Sequence, residues 1–468
     1  MRYVSTRGEA PSLGFRDVVL SGLARDGGLY VPQEWPRFSK DEIAALAGRP
    51  YAEIALAVMR RFVGEEIAEA DLKRLIDTAY GSFRHPAVTP LSQIGPNHFL
   101  LQLFHGPTLA FKDVAMQLLA GLMDHILAER GERATVVGAT SGDTGGAAIE
   151  AFRGSRRVDV AILFPDGRVS EVQRWQMTTP TESNVQAIAI AGHFDDAQAL
   201  VKAMFADEPF REEVALSGVN SINWGRIAAQ CVYYFAAATA LGAPHREVSF
   251  TVPTGNFGNI FAGYAAAKMG LPIRQLVIAT NVNDILHRTL QSGRYEVGEV
   301  VATASPSMDI QVSSNFERLL FEAGGRDAAA TRRQMQSLKQ SGAFVLEDGV
   351  LGSIKSLFAS GRSEEAENAA TIRRLHADAD LLIDPHSAIG VAVAERHLQE
   401  GAPMVTLGTA HPAKFPDAVE AASGIRPALP KPLRAMMSAE ERFKVLPAEL
   451  GAVEAEIRSF ARAAKVEA

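Results

Sequence analysis

The chain predicts an α/β fold of mainly parallel sheets covered by helices, with a small helical segment at its start. Two observations carry this. From about residue 98 to residue 415, runs rich in β-branched residues alternate with helix-type runs, the pattern of strand–helix crossover units. Where strand passes to helix the join is repeatedly rich in glycine, as in 134–154, 247–270 and 380–397. At 468 residues, 47% hydrophobic and 22% charged, the chain has material for two or three domains and a sizeable core.

Taken in order, residues 1–85 read as a mostly helical N-terminal domain. Residues 14–24 are a first helix, and DGGLYVP (26–32) is a turn followed by a short extended piece. Ser39 with Glu42 three residues later forms a capping box for a helix carrying Ile43, Ala44 and Leu46. Helical patterns follow at 51–63 and 67–80, and their plain reading is packing or a dimer contact. A large α/β domain is expected from 86–133 and 220–430, a smaller one from 134–219, and a C-terminal tail from 431–468. Strands are expected at 98–104, 134–139, 158–165, 185–192, 247–253, 271–281, 380–384 and 403–408. The stretch 285–380 reads as polar and helical, with one extended piece at 342–347.

Composition excludes several functions. The net charge of −7 argues against a nucleic-acid or anionic-membrane surface. Cys231 is the only cysteine, so intramolecular disulfides and cysteine-rich metal sites are ruled out; it lies in an apolar helical run. No apolar run is long enough to span a bilayer and the first residues lack a signal-peptide core, so cytoplasm is the expected location. Monomer and homodimer are both compatible with the sequence.

The stretch with most chemical content is HGPTLAFKD, residues 105–113. Lys112 stands between Phe111 and a helix carrying Val114, Ala115, Leu118 and Leu119. Apolar surroundings disfavour the ammonium and leave the neutral amine, the form that attacks a carbonyl. Taken alone, Lys112 also reads as a lysine whose stem packs while its head reaches water.

Its company further along the chain weighs against that reading. Thr254, Gly255, Asn256, Phe257, Gly258 and Asn259 form a glycine turn that runs directly into a helix, where backbone N–H groups and the helix dipole favour a phosphate. It is neither a Walker loop nor the six-residue dinucleotide fingerprint, and taken alone it also reads as a tight connection with no ligand. Ser141, Gly142, Asp143, Thr144, Gly145 and Gly146 form a second such turn, read either as an anion site or as plain helix caps. Asp143 would repel an anion there unless its charge faced elsewhere. Asn220, Ser221, Ile222 and Asn223 with Arg226 offer amide, hydroxyl and guanidinium donors suited to a phosphoryl group, or else a surface cap. Thr409 ends a strand, where open α/β sheets place ligands, and His411 follows it. Two phosphate-capable turns, a lysine in apolar surroundings and a strand-end hydroxyl fit an aldehyde cofactor with a phosphate tail, held through an imine: pyridoxal 5′-phosphate.

With HGPTLAFKD, SGDTGG, NSIN and Arg226, PTGNFGN and LGTAHPAKF in this order, the chain resembles the threonine synthases over nearly its whole length. The resemblance implies the tryptophan-synthase-β-like (fold type II) architecture of pyridoxal phosphate enzymes. It implies conversion of O-phospho-L-homoserine and water into L-threonine and phosphate, the last step of threonine biosynthesis. Alternatives on the same fold are a phospho-amino-alcohol lyase and a serine or threonine dehydratase. Carried over by position, Lys112 holds the cofactor. Gly255, Asn256, Phe257, Gly258 and Asn259 bind its phosphate, Thr409 meets the pyridine nitrogen, and Asp143 lies beside the phenolic oxygen. Thr108, Ser141, Thr144, Asn220, Ser221 and Arg226 face the substrate, the last three its phosphate.

Overall fold

The computed structural model describes residues 1–465. Two sheets lie at its centre. The larger has six strands in the order Phe358–Arg362, Ile273–Thr280, Val248–Pro253, Met404–Gly408, His98–Gln102, Leu91–Gly95. Every neighbouring pair is parallel except the last, a hairpin at the edge. The smaller has five parallel strands in the order Lys444–Pro447, Val185–Ala191, Val158–Pro165, Ala134–Ala139, Leu216–Ser217. The central strands Val158–Pro165 and Val248–Pro253 are buried along their full length, as strands covered on both faces must be.

The first 85 residues are helical where their periodicity says so. Helix Tyr51–Val63 buries Tyr51, Ile54, Ala55, Val58, Met59, Phe62 and Val63, the one-sided stripe of a surface helix. The capping box at Ser39 is formed in both directions. This segment packs on the start of helix Trp224–Ala240: the Trp224 ring lies 5.7 Å from Tyr3, 5.6 Å from Phe62 and 6.0 Å from Trp35. It thereby fixes the helix that carries Arg226.

Three expectations are corrected. Residues 380–384 form no strand, because Asp384 is spent on capping helix Pro385–Glu395, accepting from the backbone N–H groups of His386 and Ser387. Within the stretch read as helical, Phe358–Arg362 pairs with Ile273–Thr280 as an edge strand of the large sheet. Residues 431–465, read as a C-terminal tail, are built into the smaller sheet and its helical cover. Lys444–Pro447 adds a strand to the small sheet, and helix Leu450–Phe460 buries Val453 and Ile457 against Val137, Leu163 and Ile188. Among the described residues no helix is long and apolar enough to cross a membrane.

The large sheet carries a pH-dependent element of stability. His98 Nε2 lies 2.7 Å from Thr406 Oγ1, and burial pushes the imidazole down to about 4. An unfolded histidine titrates near 6.5. Between those values the unfolded chain binds a proton that the native chain refuses, so stability is intact above pH 6.5 and falls as pH drops towards 4. The full effect is about 3 kcal/mol. His98→Gln, which keeps a polar partner for Thr406, is expected to flatten the decline of the thermal midpoint between pH 6.5 and 4.5. An equally steep decline in the variant would assign the effect elsewhere.

Candidate active site

The carboxyl ends of both sheets open onto one cavity, the position at which α/β sheets bind ligands. Its wall includes Phe111, Lys112, Asp143, Thr144, Ser221, Arg226, Gln230, residues 253–259, Ser307, Met308, His386, Thr409 and Ala410. The sequence-predicted residues Lys112, Asp143, Thr144, Ser221, Arg226, Thr409 and 255–259 thus lie together, although some three hundred positions separate the first from the last.

Lys112 opens helix Lys112–Arg130 and is 8% exposed. Its Nζ lies 3.1 Å from Asp143 Oδ2 and 4.9 Å from the centre of the Phe111 ring. Burial pushes the ammonium below the usual lysine range; Asp143 offsets part of that shift, and Lys414 and Arg226 add to it.

Burial alone would raise the Asp143 carboxyl, but Lys112 and Lys414 hold it well below the usual carboxylate range. Its Oδ1 accepts from Gln173 Nε2 at 3.0 Å and pairs with Lys414 Nζ at 3.0 Å. Gly142 brings this turn against Gln173. Its φ is +135°, and a Cβ there would stand 2.2 Å from the Gln173 side chain.

The 255–259 turn follows strand Val248–Pro253 and leads into helix Gly258–Lys268. Phe257 takes a left-handed φ of 63° at the helix N-cap. Among the described residues, the backbone N–H groups of residues 255–258 have no acceptor. Such free donors at the positive end of a helix fit a phosphate. The turn is held from behind: Asn315 Nδ2 donates to Asn256 O at 2.9 Å, and Ser313 Oγ to Gly255 O at 2.6 Å. A Cβ on Gly255 would come within 2.7 Å of the Ser307 carbonyl oxygen. Asn259 accepts from the Tyr233 hydroxyl while its Nδ2 is buried without a partner.

Arg226 is buried and, among the described residues, has no carboxylate partner. One Nη donates to Val219 O at 3.1 Å, and Nε has no acceptor. Burial lowers its guanidinium to about 10. A buried cation without a counter-charge is costly, and an anionic ligand would complete it. Ser221 is held beside it by neighbours that sequence spacing gave no means of finding. Asn315 Nδ2 donates to Ser221 O at 3.3 Å, and Arg318 Nη2 to Ile222 O at 2.6 Å.

Thr409 follows strand Met404–Gly408. Its backbone N–H donates to Ser387 Oγ at 3.1 Å and its carbonyl accepts from Phe111 N at 2.8 Å, so the hydroxyl is left to the cavity. Ser387 in turn donates to Asp384. Asp384 also holds His386 Nδ1 at 2.7 Å, and His386 Nε2 accepts from Ser307 N at 3.3 Å. This chain of contacts ties the Thr409 side of the cavity to the Ser307 side.

Three sequence-predicted residues are absent from the wall. Thr108 is spent on Asp113, donating from N to Oδ2 at 2.8 Å and from Oγ1 to Oδ1 at 2.5 Å. Asn220 is exposed and Ser141 is half-buried outside the lining. His411 also lies outside it; burial lowers its imidazole to about 4. Conversely, Gln230, Ser307 and His386 line the cavity and Gln173 and Lys414 support it, none of them singled out from the sequence. Lys414 was visible within LGTAHPAKF, but no spacing linked it to Asp143.

Residues 2–80 match the family "Threonine synthase N terminus", residues 83–351 "Pyridoxal-phosphate dependent enzyme", and residues 387–457 "Threonine synthase, C-terminal". The threonine synthase of Pseudomonas aeruginosa is 55% identical over 457 residues, covering 97% of each chain. Among solved structures, PLP-bound threonine synthase from Brucella melitensis superposes with a TM-score of 0.97 at 63% identity, covering 99% of this chain and all of its own. Threonine synthase from yeast superposes with a TM-score of 0.93 at 40% identity, covering 98% of both. The architecture is the tryptophan-synthase-β-like, fold type II arrangement. From its first residues to its last helix the chain follows one pattern: it belongs to the pyridoxal-phosphate-dependent enzymes and, within them, to the threonine synthase family.

Proposed function

We propose that this protein converts O-phospho-L-homoserine and water into L-threonine and phosphate, using pyridoxal phosphate carried by Lys112. The observation that carries the reading is one cavity with a single lining lysine and two separate sets of anion donors. One set is the free N–H groups of residues 255–258, the other the unpaired guanidinium of Arg226. A phosphorylated cofactor and a phosphorylated substrate together need two.

In this reading residues 255–259 would hold the cofactor phosphate, the Thr409 hydroxyl would donate to the pyridine nitrogen, and Asp143 would stand beside the phenolic oxygen. When bound, the cofactor supplies a sink for negative charge developing at the carbon that bears the substrate amine. Lys112 Nζ moves the proton at that carbon, a task that its burial favours because the neutral amine is the base. Thr409, a neutral hydroxyl where a carboxylate would fix a positive charge, leaves the pyridine nitrogen unprotonated. Arg226 and Ser221 grip the substrate phosphate, and Thr144 faces the rest of the substrate. As the phosphate departs with growing charge, Arg226 stabilises it by about 3 kcal/mol, the scale of one preorganised donor to an anion. Phe111 and Met308 supply apolar lining to the cavity.

The test is direct. Purified protein with pyridoxal phosphate and O-phospho-L-homoserine is expected to release threonine and phosphate in equal amounts. A keto acid or aldehyde with ammonia would instead assign it a dehydratase or phospho-amino-alcohol lyase reaction.

A further inference from the structure

Two lysines share Asp143, and only one of them lines the cavity. Lys414 has no exposed side-chain surface. Its Nζ donates to Thr108 O at 2.8 Å and to Gln176 Oε1 at 2.9 Å, and it lies 3.0 Å from Asp143 Oδ1. An ammonium has three N–H donors and no acceptor, so three oxygens complete it in the charged form. Among the described residues Lys112 has one oxygen partner, Asp143 Oδ2. Of two cations on one carboxylate, the less fully held is the one that gives up its proton.

We propose that Lys414 is a positioning residue: a permanent counter-charge for Asp143 that leaves Lys112 free to become neutral and keeps Asp143 ionised once it has. This rests on Lys112 being the cofactor-bearing lysine. Without Lys414, Asp143 and Lys112 would form a one-to-one buried pair, and Lys112 would hold its proton more tightly. If Lys112 then went neutral, Asp143 would be a lone charge in a dry cavity and would take up the proton itself. With Lys414 in place, neutral Lys112 leaves behind a balanced pair.

The remaining charged and titratable groups that face this cluster do not replace Lys414. Arg226 bears on Lys112 as a second repelling cation. His386 faces Asp143 from helix Pro385–Glu395, with its Nδ1 committed to Asp384. Asp113 feels Lys414 but is engaged by Thr108. Gln173 and Ser307 reach Asp143 as neutral donors.

The test is trapping of pyridoxal phosphate on the full chain, freed of cofactor, by borohydride at a series of pH values, with the labelled lysine quantified by peptide mass spectrometry. Lys414→Met is expected to move the midpoint of Lys112 labelling up by about one pH unit, as removal of a nearby like charge should. Asp143→Asn is expected to move it down by about the same amount. A general loosening of the fold would move both variants the same way. An unmoved or lowered midpoint in Lys414→Met overturns the proposal; should that variant fail to fold, an unmoved or raised midpoint in Asp143→Asn overturns it equally. Label found on another lysine, with Lys112→Ala trapping as well as the parent chain, would instead refute the reading of Lys112.

Discussion

Lys112→Ala is expected to lose the visible absorbance of bound cofactor and to reduce threonine formation at least ten-thousandfold, because in the proposed reading one side chain both tethers the cofactor and moves the proton. The fold should survive. Asp143 keeps Lys414, Gln173 and Ser307 as partners when Lys112 is gone, so the substitution leaves no orphaned charge in the cavity. The thermal midpoint should therefore lie close to that of the parent chain without cofactor. The 255–259 turn proposed to hold the phosphate is also untouched, so free pyridoxal phosphate should still bind weakly without forming a covalent bond. Turnover that persists when cofactor is added back would show that another group does the chemistry.

Lys112 stood out only in company: its apolar neighbours equally suit a lysine whose head reaches water, and the glycine turns further along the chain weighed against that, as does its burial in the structure. The shape of the 255–259 turn was legible locally, since two glycines and a helix start fall within six positions, although the same pattern also suits a tight connection without a ligand. Helix Tyr51–Val63 was delimited by its own stripe of apolar residues. What escaped depends on contacts across the chain. Strand Phe358–Arg362, with Ser360, Gly361 and Arg362 in five residues, has little strand character of its own and exists because Ile273–Thr280 offers it an edge. Residues 380–384 look like a strand, yet Asp384 two residues before His386 caps a helix instead.

The site divides in the same way. Thr108 carries a hydroxyl in the right motif, but Asp113 five positions on takes both its hydroxyl and its N–H. Asp143 posed a conflict in the sequence, a carboxylate in a turn suited to anions. Lys414 resolves it from 271 positions away, a distance over which no periodicity or spacing carries information. Arg318 and Asn315, which hold the 220–223 segment and the phosphate turn, belong to a stretch whose composition is simply polar and helical.

Arg226→Ala should separate the two proposed anion sites. Among the described residues its buried guanidinium has no carboxylate and its Nε no acceptor, while the 255–258 N–H groups lie on a separate turn. Removing it is expected to lower kcat/KM for O-phospho-L-homoserine about a hundredfold, the loss of about 3 kcal/mol of contact with the departing phosphate, and to leave cofactor retention nearly unchanged. Arg226→Lys should recover only part of this, because an ammonium keeps the charge but not the two-pronged grip. Stability should move the other way. An uncompensated buried cation costs free energy, so the substrate-free Arg226→Ala chain should melt no earlier than the parent, and the stabilisation that substrate gives the parent should largely vanish. If the variant instead sheds pyridoxal phosphate while its KM for substrate holds, Arg226 serves the cofactor's phosphate. The substrate's phosphate would then have to be bound by Ser221 and the donors around it.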